Sequence, residues 1–320
     1  MTEKWLSVHI HISGRFEPFL KHLQVNLLRP LQDAGSVDSF FFIRYYDTGP
    51  HVRLRLSSDP ERLQGTVLPA LLDYLQVCLA ESTEGVARSY IVQSYAFIEY
   101  EPELERYGGL QGIGLAEKHF DDSSRAVLSH IVLSEEHWNY DTALGAALQL
   151  HLSFFFSLSL LPETIGLLLD LLYLGWLPAV LAHPSLVAGK SDPEAAIEEA
   201  YGNSYSKQQI GLREMATALE DIIRERDEAA PLWLWSWERD VISTHQDIME
   251  LVNREADDPA FSRVQAEAFA VELYQSYFHM TNNRLGLQNV DESFIGYILR
   301  RVLQDIGYLP TRSLRQNTHS

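Results

Sequence analysis

The stretch Thr48-Gly49-Pro50-His51-Val52-Arg53-Leu54-Arg55-Leu56 decides the fold of the first part of the chain. After the Gly-Pro turn, strict alternation of apolar and polar residues predicts a β-strand with two different faces. The apolar face consists of Val52, Leu54 and Leu56, and the polar face of His51, Arg53 and Arg55. Because arginine is rarely buried without an anion, this polar face is either a solvated surface or a site for a carboxylate or phosphate.

Segments on both sides of this strand alternate between strand and helix patterns. Strands are predicted over 6–12, 39–46, 51–56 and 89–99, and helices over 15–33 and 60–80. The order strand, helix, strand, strand, helix, strand is that of a ferredoxin-like βαββαβ unit, with both helices on one face of an antiparallel sheet. We therefore expect Arg53 and Arg55 on the other, open face.

The remainder of the chain has helical periodicity. Helices are predicted over 123–133, 140–159, 164–182, 193–201, 206–227, 232–256, 259–282 and 292–306. The fold class is therefore α+β. We expect a ferredoxin-like subdomain over 1–118 and a helical subdomain over 119–320, packed on the open sheet face. Boundaries are expected at Ser191-Asp192-Pro193 and Asp257-Asp258-Pro259, and the polar tail 312–320 is expected to be frayed.

Composition restricts the classes of function. A net charge of -19 over 320 residues disfavours general binding to nucleic acid or anionic membranes, because the field of the protein repels both. The single cysteine, Cys78, excludes an internal disulfide framework and suits the cytoplasm. We see no secretory leader pattern, and polar residues and prolines interrupt the apolar region 150–182, which predicts buried helices without a membrane span. No metal-binding or cofactor motif is present, so none is expected.

Two further stretches contain residues suited to chemistry. In 100–109, Glu103 precedes Arg106 by three residues and Gly108-Gly109 permits positive φ, which indicates either an anion-binding loop or a salt-bridged helix start. In 276–286, His279 and Asn283 share a helix face, where the amide or another group fixes the tautomer of the imidazole. The alternative for His279 is a hydrogen-bonded core histidine.

Four motifs together resemble the elimination domain of class I lantibiotic dehydratases, which also occurs alone as the thiopeptide-type bacteriocin biosynthesis protein. They are Phe41-Phe42-Ile43-Arg44-Tyr45, Gly49-Pro50-His51-Val52-Arg53-Leu54-Arg55, Glu103-x-x-Arg106-Tyr107-Gly108-Gly109 and His279-Met280-x-x-Asn283-Arg284. The resemblance runs over nearly the whole chain. It implies a lyase that expels glutamate from glutamylated Ser or Thr of a precursor peptide, leaving dehydroalanine or dehydrobutyrine.

The resemblance also implies roles for individual residues. The catalytic positions of the family match Arg53, Arg55, Arg106 and His279. The residues expected to bind substrate are His51, Arg44, Glu103, Asn283 and Arg284. Since the chain is too short to include the glutamylation domain, the resemblance implies a split enzyme with a separate glutamyl-tRNA-dependent partner, no cofactor, and a homodimer as a weaker expectation.

Two other functions stay open at this point. The first is the cycloaddition that forms the pyridine of thiopeptides, which the same family of folds performs on two dehydroalanines. The second is a non-catalytic module that binds the precursor peptide, including its leader, for which the exposed sheet edge offers strand addition. Because a pair of arginines suits a glutamate leaving group, we favour elimination.

Overall fold

The computed structural model describes residues 4–83, 89–134, 137–158, 160–256 and 263–311. The chain divides into two compact units, Met1–Thr142 and Ala143–Ser320. An antiparallel sheet near the N-terminus together with many helices confirms the predicted α+β class. The expected boundary after residue 118 falls inside one helix. The ferredoxin-like description and the packing of the helical half on the sheet stay predictions, and the expectations for 257–259 and 312–320 lie outside the described residues.

The first unit contains one four-stranded sheet. Its strands are β1 (Trp5–Gly14), β2 (Ser39–Tyr45), β3 (His51–Ser57) and β4 (Tyr90–Phe97), and their order in the sheet is β2-β3-β1-β4. The helices are α1 (Phe16–Leu23), α2 (Arg29–Asp33), α3 (Pro60–Arg62), α4 (Leu68–Thr83) and α5 (Gly109–Leu133). π-Helical turns join α1 to α2 and α3 to α4.

The register of the sheet gives it an apolar and a polar face. β1 and β3 are antiparallel, with His9 opposite Arg53 and Ser7 opposite Arg55, so these four side chains share one face. Residues of opposite parity, such as Ile10 and Leu54, are fully buried on the other face. The two arginines of β3 therefore point to the same side as the histidines of β1.

Helix α5 covers the outer edge of β2. The amide of Phe40 donates to Asp121 Oδ1 (3.1 Å) and that of Phe42 to Ser124 Oγ (3.3 Å). These side chains replace the strand partner that an edge amide lacks. The contact protects the β2 edge from pairing with another chain.

The second unit is helical over its described residues. Its helices are α6 (Tyr140–Ser157, which begins within the first unit), α7 (Pro162–Leu181), α8 (Pro184–Val187), α9 (Pro193–Glu225), α10 (Leu232–Ala256), α11 (Arg263–Leu285) and α12 (Asn289–Asp305). α9 runs unbroken where two helices were predicted. Gly202 packs closely against α12, since a Cβ there would lie 3.3 Å from the Tyr297 hydroxyl. This packing outweighs the poor helix propensity of glycine.

Two helical stretches, Pro60–Glu81 and Pro162–Leu181, are long and apolar enough to cross a membrane. Buried helices of globular proteins meet the same criterion, and α7 has many packing contacts with α12. The closest approach is at Gly296, where a Cβ would lie 2.8 Å from the Tyr173 backbone nitrogen. Asp170 of α7 also pairs with Arg300 of α12. These contacts bury one side of α7 against α12.

Candidate active site

Arg55 is a buried cation on the polar face of the sheet. Its side chain is surrounded by aromatic rings, with the guanidinium 5.3 Å from the centre of Phe41 and 4.8 Å from that of Tyr100. Only 6% of the residue is exposed, and no described residue accepts a hydrogen bond from Nε or Nη1. Burial lowers the pKa of Arg55 to about 10, so it stays charged at neutral pH. A guanidinium with N–H groups that no described residue accepts is suited to bind a carboxylate through charge-assisted hydrogen bonds.

Arg53 is fixed by three neighbours. Its guanidinium lies 3.4 Å from the centre of the Tyr45 ring, and Nη2 donates to Asp47 Oδ2 at 3.3 Å. Its Nε donates to His51 Nε2 at 3.2 Å, while His51 Nδ1 lies 2.8 Å from the Gly49 carbonyl oxygen. Since a guanidinium only donates and a carbonyl only accepts, His51 must be neutral with its proton on Nδ1. Burial lowers the pKa of His51, which favours the same state.

Two histidines of β1 extend this polar face. The rings of His9 and His11 both stack on His51, at centroid distances of 5.3 and 4.8 Å. Burial, followed by the charges of Arg53 and Arg55, lowers the pKa of His9 to about 4. The sequence analysis did not select these histidines, although their alternation along β1 was the available signal. In the described part of the chain, no group of three His, Cys, Asp or Glu side chains is arranged to hold a metal ion.

Arg106 and Glu103 lie after β4. Arg106 Nη1 donates to Glu103 Oε2 at 3.2 Å, and the negative charge of Glu103 raises the pKa of Arg55 against the larger effect of burial. Gly108 and Gly109 both have φ of 75°, which is the conformation the glycine pair was expected to permit. The loop therefore brings Glu103, to which Arg106 is paired, into electrostatic range of Arg55.

Arg44 does not lie on the polar face of the sheet with Arg53 and Arg55. The β2–β3 register pairs it with Val52 on the apolar face. It is 2% exposed, and its Nη1 lies 2.5 Å from Glu17 Oε1. Arg44 therefore forms a buried ion pair within the fold, and its expected role in binding substrate stays a prediction.

His279 lies on α11 in the second unit. Its Nδ1 is 2.6 Å from Glu292 Oε1 of α12, and its ring stacks on Trp176 of α7 at 5.0 Å with an angle of 22°. The side chain is 18% exposed, and no described residue bonds to Nε2. The hydrogen-bond partner of His279 Nδ1 is therefore Glu292, whereas Asn283 or another group was expected to bond to the ring and fix its tautomer.

The other two predicted residues of this stretch have different surroundings. Asn283 is half-buried one turn after His279. Arg284 is fully buried, and its Nη1 donates to the Met280 carbonyl at 2.8 Å. The expected contact of Arg284 with substrate stays a prediction.

Glu292 and Trp176 were not identified from the sequence. Glu292 lies in the first turn of α12, where an acidic residue is common for reasons of helix stability alone. Trp176 lies about a hundred positions before His279 in an apolar helix. Sequence spacing therefore gave no signal for either contact.

Comparison with known protein sequences gives one family over most of the chain. The family described as lantibiotic biosynthesis dehydratase C-term matches residues 5–303. The subtilin biosynthesis protein SpaB of Bacillus subtilis is 30% identical over 126 residues, which are 39% of this chain and 11% of SpaB. The nisin biosynthesis protein NisB of Lactococcus lactis subsp. lactis is 27% identical over 158 residues, 48% of this chain and 14% of NisB. The chain thus matches only a small part of these relatives.

Three solved structures share the fold over 95% of this chain. The pyridine synthase TbtD from thiomuracin biosynthesis has a TM-score of 0.64 at 18% identity, with 99% of its own chain covered. TsrL has a TM-score of 0.57 at 17% identity, with 95% covered. The tRNA-dependent lantibiotic dehydratase MibB from Microbispora sp. 107891 has a TM-score of 0.53 at 22% identity, with 28% covered.

Proposed function

This chain belongs to the lantibiotic biosynthesis dehydratase C-terminal family, and on that premise we propose that it is a lyase that eliminates glutamate from a precursor peptide. The substrate is a Ser or Thr residue esterified with glutamate by a separate glutamyl-tRNA-dependent enzyme in the cytoplasm. The product is dehydroalanine or dehydrobutyrine. The observation that carries this proposal is the buried guanidinium of Arg55, whose Nε and Nη1 have no hydrogen-bond acceptor among the described residues.

The chemistry of elimination uses such a cation. A base removes the proton from Cα, the C–H electron pair forms the Cα=Cβ double bond, and the Cβ–O bond breaks. Glutamate then leaves with a new carboxylate in addition to the one it already carries. Arg55 would bind a carboxylate of this dianion, and the charge of Arg53 would stabilise the developing anion.

Arg106 and Glu103 support the same assignment. The guanidinium of Arg106 is 36% exposed and held by a single ion pair with a surface carboxylate. An arriving carboxylate of the substrate can compete for it at low cost, because exposed ion pairs contribute little. Arg106 would therefore add a second cationic contact to the substrate.

His279 is the proposed base. Its Nε2 has no hydrogen-bond partner among the described residues and its side chain is 18% exposed, which suits transfer of the Cα proton. No described residue occupies Nε2, whereas His51 has both ring nitrogens engaged. Of these two histidines, His279 is the one able to accept a proton without first losing a hydrogen bond.

A second candidate is cycloaddition of two dehydroalanines to form a pyridine. TbtD, described as a pyridine synthase, shares the fold over 95% of this chain. At 18% identity the likeness concerns the fold. The cluster around Arg55 favours elimination, because cycloaddition releases no glutamate.

The test uses a synthetic peptide with a glutamyl ester on Ser and follows its mass. We expect loss of glutamate with the wild type, and a decrease of about a hundred- to a thousand-fold for Arg55→Lys or Arg106→Ala, as for other removed electrostatic donors. Arg62→Gln, at the end of α3 with its own partners Asp38 and Asp59, is the control and keeps the wild-type rate.

Three results would contradict the proposal in different ways. Full activity of Arg55→Lys would remove Arg55 from the mechanism. Cyclisation of a peptide with two dehydroalanines, without glutamate loss from the ester, would assign the second candidate. Binding without either reaction would identify a peptide-binding module.

A further inference from the structure

The contact between α11 and α12 assigns a role to a residue outside the recognised motifs. We infer that Glu292 is a positioning residue for His279, which it holds in the tautomer with the proton on Nδ1 and the lone pair on Nε2. This inference rests on the proposed elimination, because the tautomer of His279 defines which ring nitrogen receives the Cα proton in that reaction.

The geometry fixes the direction of the hydrogen bond. Glu292 Oε1 lies 2.6 Å from His279 Nδ1, a distance typical of a charge-assisted bond. An ionised carboxylate only accepts, so the imidazole must donate from Nδ1. In the neutral ring the lone pair is then on Nε2, at the opposite edge from Glu292.

Glu292 lies in a buried position at the start of α12. Glu292 belongs to the first turn of α12, where the free N–H groups and the helix dipole stabilise negative charge. The residue is only 1% exposed, and Oε2 has no hydrogen-bond donor among the described residues. Among the described residues, His279 is the one whose side chain bonds to this carboxylate.

A third residue restricts the orientation of the ring. Trp176 stacks on His279 with an angle of 22° between the rings, which limits rotation of the imidazole about its χ2 angle. Together the stack and the hydrogen bond hold the ring by its face and by its Nδ1 edge. Only the Nε2 edge is left for substrate.

The reaction balances with this arrangement. The Cα proton moves to Nε2, the C–H electron pair forms the double bond, and glutamate departs with the electrons of the Cβ–O bond. The resulting imidazolium keeps its Nδ1–H bond to Glu292, so the carboxylate faces the positive charge that develops on the ring in the transition state. Similar orienting carboxylates are worth from tenfold to about ten-thousand-fold in rate.

The first experiment compares Glu292→Gln with wild type on the glutamylated peptide. The amide of Gln can donate to Nδ1 and so stabilise the wrong tautomer. We expect kcat to fall about a hundred-fold or more with KM changed by less than about threefold. The matched control is Asp305→Asn in the same helix, whose carboxylate bonds only to Tyr205 and Gln209 among the described residues; it should keep the wild-type kcat.

The second experiment does not depend on activity. Nitrogen-15 NMR of the full chain with labelled histidine, assigned by comparison with His279→Gln, reports which ring nitrogen carries the proton. We expect protonated Nδ1 in wild type and loss of that preference in Glu292→Gln. Wild type with the proton on Nε2, or Glu292→Gln with unchanged kcat, would overturn the inference. If wild type eliminates no glutamate, the proposed function fails, while the tautomer measurement still decides the role of Glu292.

Discussion

Replacement of Arg55 by Met separates the stability of this protein from its activity. Arg55 is 6% exposed, and no carboxylate among the described residues bonds to it. Burial lowers its pKa from 12.5 to about 10, and at about 1.36 kcal/mol per pKa unit this corresponds to a cost of about 3 kcal/mol for the charge in the folded state. Met has a similar volume and carries no charge.

The loss of the cation also removes favourable contacts. The guanidinium lies over Phe41 and Tyr100, and such cation–π contacts contribute about 0.5–2 kcal/mol each. Met retains part of this energy through contact of its sulfur with the rings. We therefore expect Arg55→Met to change the free energy of unfolding by between about -1 and +2 kcal/mol while it abolishes elimination.

Urea denaturation of wild type and variant measures this difference directly. Glutarate, a dicarboxylate close to the leaving group, should raise the unfolding temperature of wild type and leave that of Arg55→Met unchanged, because binding to the folded state alone stabilises it. Arg62→Met is the control for loss of an exposed arginine. An Arg55→Met variant that is less stable than wild type by more than about 1 kcal/mol would refute the reasoning, since the guanidinium would then have a stabilising role in the fold.

Three other predictions concern stability. Gly296→Ala should destabilise the protein by about 1–3 kcal/mol in urea denaturation, because the new Cβ would meet the Tyr173 backbone at 2.8 Å; Gly145→Ala, with no atom within 4 Å of the new Cβ, should be neutral or stabilising. Glu17→Gln leaves the buried Arg44 without its ionic partner and should cost about 3–5 kcal/mol, and a loss below about 1 kcal/mol would contradict the buried pair. Burial lowers the pKa of His151 from 6.5 to about 4, so between these pH values the unfolded chain binds a proton at this residue that the native state excludes. His151 should therefore contribute about 3 kcal/mol to the fall in stability from pH 6.5 to 4, measured as the difference between wild type and His151→Gln, and a variant whose stability falls as much as that of wild type would contradict this cause.

Local periodicity predicted the strands and helices well. The alternation in 51–56 identified β3, and that in 6–12 identified β1. The segment 232–256 was predicted as a helix despite its alternating tryptophans, and α10 has the same bounds. These predictions succeeded because the periods of 2 and 3.6 residues depend on each segment alone. The family was also recognisable from the sequence, because its motifs are short and continuous.

The sequence did not predict the register of the strands. Arg44 was grouped with the arginines of β3, but the β2–β3 register places it opposite Val52 and on the other face. A shift of the register by one residue would have placed Arg44 on the polar face, and the sequence of one strand does not specify its register. The same register decides that His9 lies opposite Arg53.

The sequence by itself determined the fold class, the family and the chemical type of the candidate site, because side-chain identity and periodicity are properties of the chain. Only the tertiary structure decided which charges are compensated. The fold pairs Arg44 with Glu17 and His279 with Glu292. Arg55 is surrounded by aromatic rings, and no carboxylate among the described residues bonds to its guanidinium. The physical reason is that the energy of a buried charge depends on atoms within a few ångströms, whatever their separation along the chain.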